Sequence, residues 1–453
     1  MSRPATSGFT WGQIFRLALV QTAIGAMVVL TTSTMNRVLV VEHGLAAMVP
    51  GALVALHYVV QMARPAFGHR ADRGRNRTRW IVGGLAVLAA GTVLAAYATG
   101  LSGSNRPAGL SLATLAFVLI GAGVGAAGTN LLALAAAGTA PHRRGPAATL
   151  MWTLMIAGFA ITAGLTGSFL DPFSDLRLLQ VTAVVSVLAL AIGTLATRGV
   201  EASVPALGAD APATDEAPVF SATLAEVWRE PATRRFTIFV FVSMFAYSAQ
   251  DLVLEPFAGL VFAMTPGETT QLSGMQHGGT LIGMIAVALA GLAFGKAYPG
   301  LLRLLCVAGC IGSAAAFCAL FAASRTGTGF PLSEAVATLG FFNGLFAVAA
   351  IGSMMGLASG TGREASPRHG IRMGLWGAAQ AIAFALGGFA GTAVVDITQH
   401  ATGSSADAYG AVFLAECVGF LVSAVLAWRC VGLAAQGTES RSLAPSNLSG
   451  YAA

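Results

Sequence analysis

Apolar runs of about 20 residues, the length that crosses about 30 Å of hydrocarbon, recur from one end of the chain to the other. In lipid a helix satisfies its own backbone polar groups, so such runs dictate a bundle of spanning helices. The sequence gives an all-α polytopic membrane protein with twelve transmembrane helices. They are expected near 12–36, 45–65, 80–100, 110–138, 147–170 and 176–198, then 234–263, 271–295, 299–323, 331–358, 371–396 and 407–432. Composition excludes a soluble multidomain reading: of 453 residues, 55% are hydrophobic and 10% charged. The 56 glycines suit helices that pack closely in a membrane.

The formal charge of +6 does not indicate a nucleic-acid partner, because a single lysine and scattered arginines form no basic tract. The arginines sit in short loops, as topology signals do. The five cysteines (Cys306, Cys310, Cys318, Cys417, Cys430) lie in or beside apolar runs without metal-ligand spacing and read as small packing residues. The run after Trp11 is too long for a signal-peptide core and has no evident cleavage site, so it is expected to stay as the first span.

The chain divides into a first six-helix half (1–198), a connection (199–233), a second six-helix half (234–432) and a polar tail (433–453). The connection reads as a flexible linker from Pro205 to Pro218, then a short surface helix capped by Ser221. With the N-terminus inside, Arg70, Arg73, Arg75, Arg77, Arg79, Arg143, Arg144, Arg229, Arg234, Arg235 and Lys296 fall on the inner side. Few arginines fall outside, so the positive-inside rule places both termini in the cytoplasm.

The stretch Gln250-Asp251-Leu252-Val253-Leu254-Glu255-Pro256-Phe257-Ala258-Gly259 puts two carboxylates and an amide near the end of a long apolar run. Intramembrane carboxylates face an interior, a cavity or a partner charge. Pro256 bends or ends the helix there. The alternative is an interfacial helix end with Glu255 in water. The first span ends similarly, with Asn36, Arg37 and Glu42. Under a pseudo-twofold relation these ends face each other, so Arg37, Glu42, Asp251 and Glu255 are expected to form a charge cluster at the outer mouth, with Arg37 close to Asp251 or Glu255.

Six spans, a linker and six more spans is the plan of the major facilitator architecture, whose halves are parallel repeats. The loop from Gly68 through Asp72-Arg73 to Gly74 and Arg75 resembles the facilitator loop motif, with the second glycine one position early. The resemblance implies a conformational latch at Gly68, Asp72 and Arg73. An ordinary basic loop is the alternative.

Three stretches then resemble the PucC/LhaA family, often called the bacteriochlorophyll delivery family: Gln250–Gly259 with Thr265-Pro266-Gly267-Glu268-Thr269-Thr270-Gln271-Leu272, Leu30–Val38, and Gly374-Leu375-Trp376-Gly377-Ala378-Ala379-Gln380-Ala381-Ile382-Ala383-Phe384. The likeness covers nearly all twelve spans. Ala55–Gln61 leans toward the member encoded with bacteriochlorophyll synthesis genes. The resemblance implies handling of bacteriochlorophyll or a precursor in the inner (intracytoplasmic photosynthetic) membrane of a purple bacterium. The partners it implies are light-harvesting polypeptides or bacteriochlorophyll synthase.

Such a pigment needs an apolar slot and an axial ligand for its magnesium, a role neutral imidazole fills. His57, mid-span in the second helix, and His277, near the outer end of the eighth, are the candidates. The alternatives are a hydrogen bond to a neighbouring helix for His57 and interfacial packing for His277. Trp152 and Trp376 are candidate stacking rings or, equally, interface anchors. Glycine faces at Gly121, Gly125 and Gly128, at Gly352 and Gly356, and at Gly387 and Gly391 read first as helix packing.

No phosphate-binding loop and no Asp-rich diphosphate motif is present, so the chain is read as no enzyme, with no required cofactor and no metal site of its own. A pigment-delivery factor is the leading reading. An assembly scaffold for light-harvesting polypeptides, an accessory subunit of a synthase and a proton-coupled solute transporter are the alternatives.

Overall fold

Thr10 and Thr265 open two helices by the same device. Each hydroxyl accepts from the backbone N–H three residues on, and the side chain there (Gln13 or Glu268) accepts the threonine's own N–H. Such capping boxes satisfy donors that a helix start would otherwise leave orphaned. Asn105 ends one helix and caps the next, accepting from Ala108 N at 3.2 Å.

The computed structural model describes residues 8–64, 67, 76–140, 143–203, 228–295, 297–298, 300–359 and 369–431. The helices are α1 (Trp11–Glu42), α2 (Met48–Gln61), α3 (Arg77–Ser104), α4 (Arg106–Gly138), α5 (Arg144–Leu170) and α6 (Asp175–Thr197). After the connection come α7 in two parts (Pro231–Ser248 and Gln250–Phe262), α8 (Pro266–Phe294), α9 (Leu301–Thr326), α10 (Leu332–Ser359), α11 (His369–Thr402) and α12 (Ser405–Cys430). The expected latch residues Gly68, Asp72 and Arg73, the linker core and the tail lie outside the described residues.

Among the described residues eleven helices are long and apolar enough to cross a membrane, and α2 is shorter. At 1.5 Å per residue its 14 residues span about 21 Å, less than the ~30 Å of a bilayer core. The expected second span of 45–65 is therefore too long for regular helix, which tightens after Gln61, where Met62 and Ala63 donate to carbonyls three residues back. The first helix instead runs past its expected end at 36, through two wide turns at Leu30–Thr34 and Val38–Glu42. Thr31 and Thr32 turn their hydroxyls onto the Val28 carbonyl at 2.7 and 3.2 Å, the local competition that loosens a helical ladder.

One large apolar cluster runs from Phe9 to Val200 and another from Phe236 to Val431. Leu252 of α7 inserts into the first, while Val40 and Ala47 insert into the second. The two halves pack along two seams, α2 on α11 and α5 on α8. Close backbone approach carries the second: a Cβ on Gly274 would sit 2.7 Å from Gly164 N of α5. The expected packing role of small residues is met at Gly121, where a Cβ would lie 2.6 Å from the His57 carbonyl oxygen, and at Gly391, against Ala249. Cys318 departs from the core reading: it is exposed, with its Sγ 3.0 Å from that of buried Cys417.

Candidate functional site

The bundle end where Arg198 leaves α6 and Pro231 starts α7 is here the linker end; the opposite end, with Glu42 and Thr265, is distal. Hydrogen bonds between the halves cluster in the distal part of the bundle. Pro256 has no N–H, so the Leu252 carbonyl one turn earlier loses its helical donor. Asn36 of α1 supplies a replacement, its Nδ2 lying 2.6 Å from Leu252 O. Ser33 meets Ser273 at 3.5 Å and Thr34 meets Thr270 at 3.2 Å. Two carboxylates complete the closure in matching ways. Asp396 at the distal end of α11 accepts the backbone N–H groups of Ala47 and Met48 at 2.8 and 2.7 Å, at the start of α2. Asp171 at the distal end of α5 accepts from Thr265 Oγ1 at 2.7 Å and Gly267 N at 3.4 Å, at the start of α8. An anion at a helix N-terminus is favoured by orphan N–H groups and by the helix dipole.

The expected four-residue charge cluster is divided. Arg37 is 2% exposed and pairs with Glu42 on its own helix; its Nη2 also donates to the Met264 carbonyl at 2.8 Å. Glu255 is within electrostatic reach of Arg37, and accepts from Ser273 at 2.6 Å and Thr269 at 3.4 Å. The lack of a side chain at Gly259 leaves room for the guanidinium: a Cβ there would sit 3.1 Å from Arg37 Nη2. Asp251 belongs to another group. One helical turn, about 6 Å, separates it from Glu255, and Arg37 reaches toward the distal end rather than inward.

At mid-depth Asp251 lies within electrostatic reach of Tyr58 and Tyr247. Tyr58 of α2, Phe384 of α11 and Tyr247 of α7 form a continuous aromatic wall, with ring centroids 5.5 and 5.9 Å apart along the series. All three are half-buried, as are Gln380 and Met244 one turn toward the linker end, which meet at 3.8 Å. Behind the wall is a fixed polar chain: Ser313 donates to Asn343 at 2.9 Å, and Asn343 donates to Gln250 at 2.9 Å.

His57 is buried, its Nε2 2.7 Å from Gln61 Nε2, and Gln61 in turn accepts from Arg64. His277 lies on the opposite seam, its ring 5.0 Å from that of Phe159 of α5. It stands mid-helix rather than near the outer end as expected, because α8 already begins at Pro266. Neither imidazole is exposed: both residues are buried, and the Nδ1 atom of each is enclosed without a hydrogen-bond partner among the described residues. Trp376 is 1% exposed and stacks edgewise on Phe236 at 5.0 Å, inside the second half's core rather than on a cleft surface. Trp152 is partly buried beside Ile156, Met284 and Val287 at the α5–α8 seam. Sequence reasoning missed Tyr58, Tyr247, Phe384, Asp171 and Asp396. Tyr58 and Phe384 lay inside stretches quoted for the family resemblance, yet nothing in one sequence shows that they touch.

These features define the class first: a multi-pass helical membrane protein of the major facilitator fold. A D-xylose–proton symporter superposes with a TM-score of 0.66 at 14% identity, covering 93% of this chain and 99% of that one. A bacterial homologue of the human lysosomal transporter Spinster gives 0.62 at 15% identity, covering 97% and 100%. At such identities the likeness is one of fold. The family model described as PUCC protein matches residues 34–434, and the chain belongs to the PucC family. It is 52% identical over 420 residues to the bacteriochlorophyll synthase 44.5 kDa chain of Rhodobacter capsulatus, covering 92% of this chain and 95% of that relative. It is 28% identical over 421 residues to Protein PucC of Cereibacter sphaeroides, covering 89% and 87%.

Proposed function

We propose that this protein binds bacteriochlorophyll or a late precursor in the space between its halves and delivers it during pigment synthesis and light-harvesting complex assembly. The observation that carries the reading is the aromatic wall of Tyr58, Phe384 and Tyr247 at mid-depth. A flat, apolar macrocycle is held by offset or edge contacts with such rings. Gln380 and the Tyr58 and Tyr247 hydroxyls offer donors to ring carbonyls. The distal closure leaves the linker end or the lipid as the route of entry. His57 stands behind Tyr58, their rings 4.9 Å apart, and serves as an axial ligand only after Gln61 releases its Nε2. The name of the 52% identical relative points to the same pigment.

In this reading the protein is not itself a catalyst. It resides in the bacterial inner membrane with both termini in the cytoplasm and hands pigment to a synthase or a light-harvesting polypeptide. Deleting the gene in its host and measuring pigments and complexes tests this. A delivery factor predicts fewer assembled light-harvesting complexes and poor rescue by Tyr58→Ala/Phe384→Ala. Loss of the synthase reaction itself, in detergent extracts given its soluble substrates in excess, would instead make the chain part of a catalytic step. Full rescue by the double variant would favour a scaffold that holds polypeptides rather than pigment.

A further inference from the structure

Glu416 has no part in the closure or in the aromatic wall, and no motif pointed to it. It sits about 16 Å from the distal end of α12 at ~1.5 Å per residue, and Asp251 lies at the same depth on α7. Glu416 is 4% exposed, and neither carboxylate oxygen has a side-chain hydrogen-bond partner among the described residues. Asp251 is within its electrostatic reach, and Oδ1 of Asp251 is likewise enclosed and without a partner. A bend at Ala249, whose own backbone stays helical (φ −71°, ψ −34°), is a second feature. The Gln250 N–H next to this bend faces the Glu416 carboxylate.

The charges around the pair are accounted for. From α7 come Asp251 and, beside it, the Tyr247 phenol. From α2 come Tyr58 and, through it, Arg64. On α9, Cys318 faces Cys417, and Arg325 is held at the distal end by Asp407. On α11, Asp396 is within reach of Tyr409 and binds the start of α2. Among the described residues no lysine or arginine makes an ion pair with Asp251 or Glu416. Two uncompensated carboxylates within electrostatic reach of each other in hydrocarbon cannot both be ionised cheaply, and such coupled pairs bind protons one at a time.

We propose that Asp251 and Glu416 form one buried site that binds a single proton and exchanges it with the space between the halves. Asp251, which is half-buried behind Tyr58 and Tyr247, is the group that meets that space. Glu416, beside the Gln250 N–H, is the enclosed member. Proton loss leaves two negative charges in the core of the second half, which favours water entry and loosening of α7 from α12. This holds whether the cargo is a pigment or another apolar molecule.

The test is infrared spectroscopy of the full-length protein in liposomes, titrated from acid to alkaline pH. The expected result is a carboxylic-acid C=O band that persists at neutral pH and disappears on alkalinisation. Asp251→Asn and Glu416→Gln should each move its midpoint down by about one pH unit or more, because each removes the neighbouring like charge. No such band at neutral pH would overturn the site. A band that one variant abolishes and the other leaves unmoved would mean a single buried acid, not a shared proton. Loss of the band on adding Na+, but not a bulky organic cation, would make it a metal-cation site and overturn the proton assignment. If a variant fails to fold, carbodiimide modification of the wild-type protein replaces it. An adduct at either carboxyl at neutral pH, fading as pH rises, supports the site; no adduct at either position at any pH overturns it.

Discussion

At the scale of single residues, the contact between Asn36 and the Leu252 carbonyl explains why an amide in the first half and a proline in the second belong together. Pro256 creates an unsatisfied carbonyl at Leu252, and Asn36 satisfies it across the interface between halves. Asn36→Ala should therefore destabilise the protein by about 1 kcal/mol, the usual net value of one such bond. In a Pro256→Ala background the restored N–H can serve Leu252 itself, so Asn36→Ala should cost much less. Thermal unfolding of the four proteins in one detergent measures the coupling; equal costs in both backgrounds would mean that the two residues act independently. The echo of Asn36-Arg37 and Gln250-Asp251 was legible from the sequence as a shared residue pattern in α1 and α7. The partners chosen were not. Arg37 takes Glu42 and the Met264 carbonyl rather than Asp251, a choice set by helix register and side-chain direction. Glu416 gave no signal, since a lone glutamate in an apolar run carries no spacing pattern.

At the scale of elements, the distal closure rests on two carboxylates that cap helices of the opposite half. Asp171 extends from α5 to α8, and Asp396 from α11 to α2. Each contact is worth roughly 0.5–2 kcal/mol as a helix cap. Asp396→Ala and Asp171→Ala should each weaken the closure, and together they should expose its interior. A cysteine at Ser273 gives the readout: its reaction with a membrane-impermeant maleimide should rise about tenfold or more in the double variant, while unchanged labelling would show that the caps do not hold this end shut. Conversely, cysteines replacing Ser33 and Ser273, whose oxygens are 3.5 Å apart, should cross-link readily under oxidation. If cargo enters from the linker end or the lipid, that cross-link leaves pigment binding intact. The caps were hidden from sequence reading because aspartate near a helix end is common and its target lies in the other half.

At the scale of the whole molecule, the spans and the two-half plan were legible because bilayer thickness imposes a run length that composition displays directly. What periodicity could not give is which face of each helix looks inward. That is why Trp376, read as a stacking ring, lies in the second half's core against Phe236, while Tyr58 and Phe384 form the wall between the halves. The facing residues come from α2, α7 and α11, so the aromatic wall exists only when both halves are assembled. A protein truncated to either half should bind no pigment. The most direct test of the account is the near-infrared absorption spectrum of the full-length protein, purified in mild detergent from a pigment-producing host. The account predicts a stoichiometric bacteriochlorophyll or precursor band, reduced about tenfold or more in Tyr58→Ala/Phe384→Ala, since two lost ring contacts at ~0.5–1.5 kcal/mol each amount to roughly that factor. A pigment-free protein, or a band of equal intensity in the double variant, would contradict it.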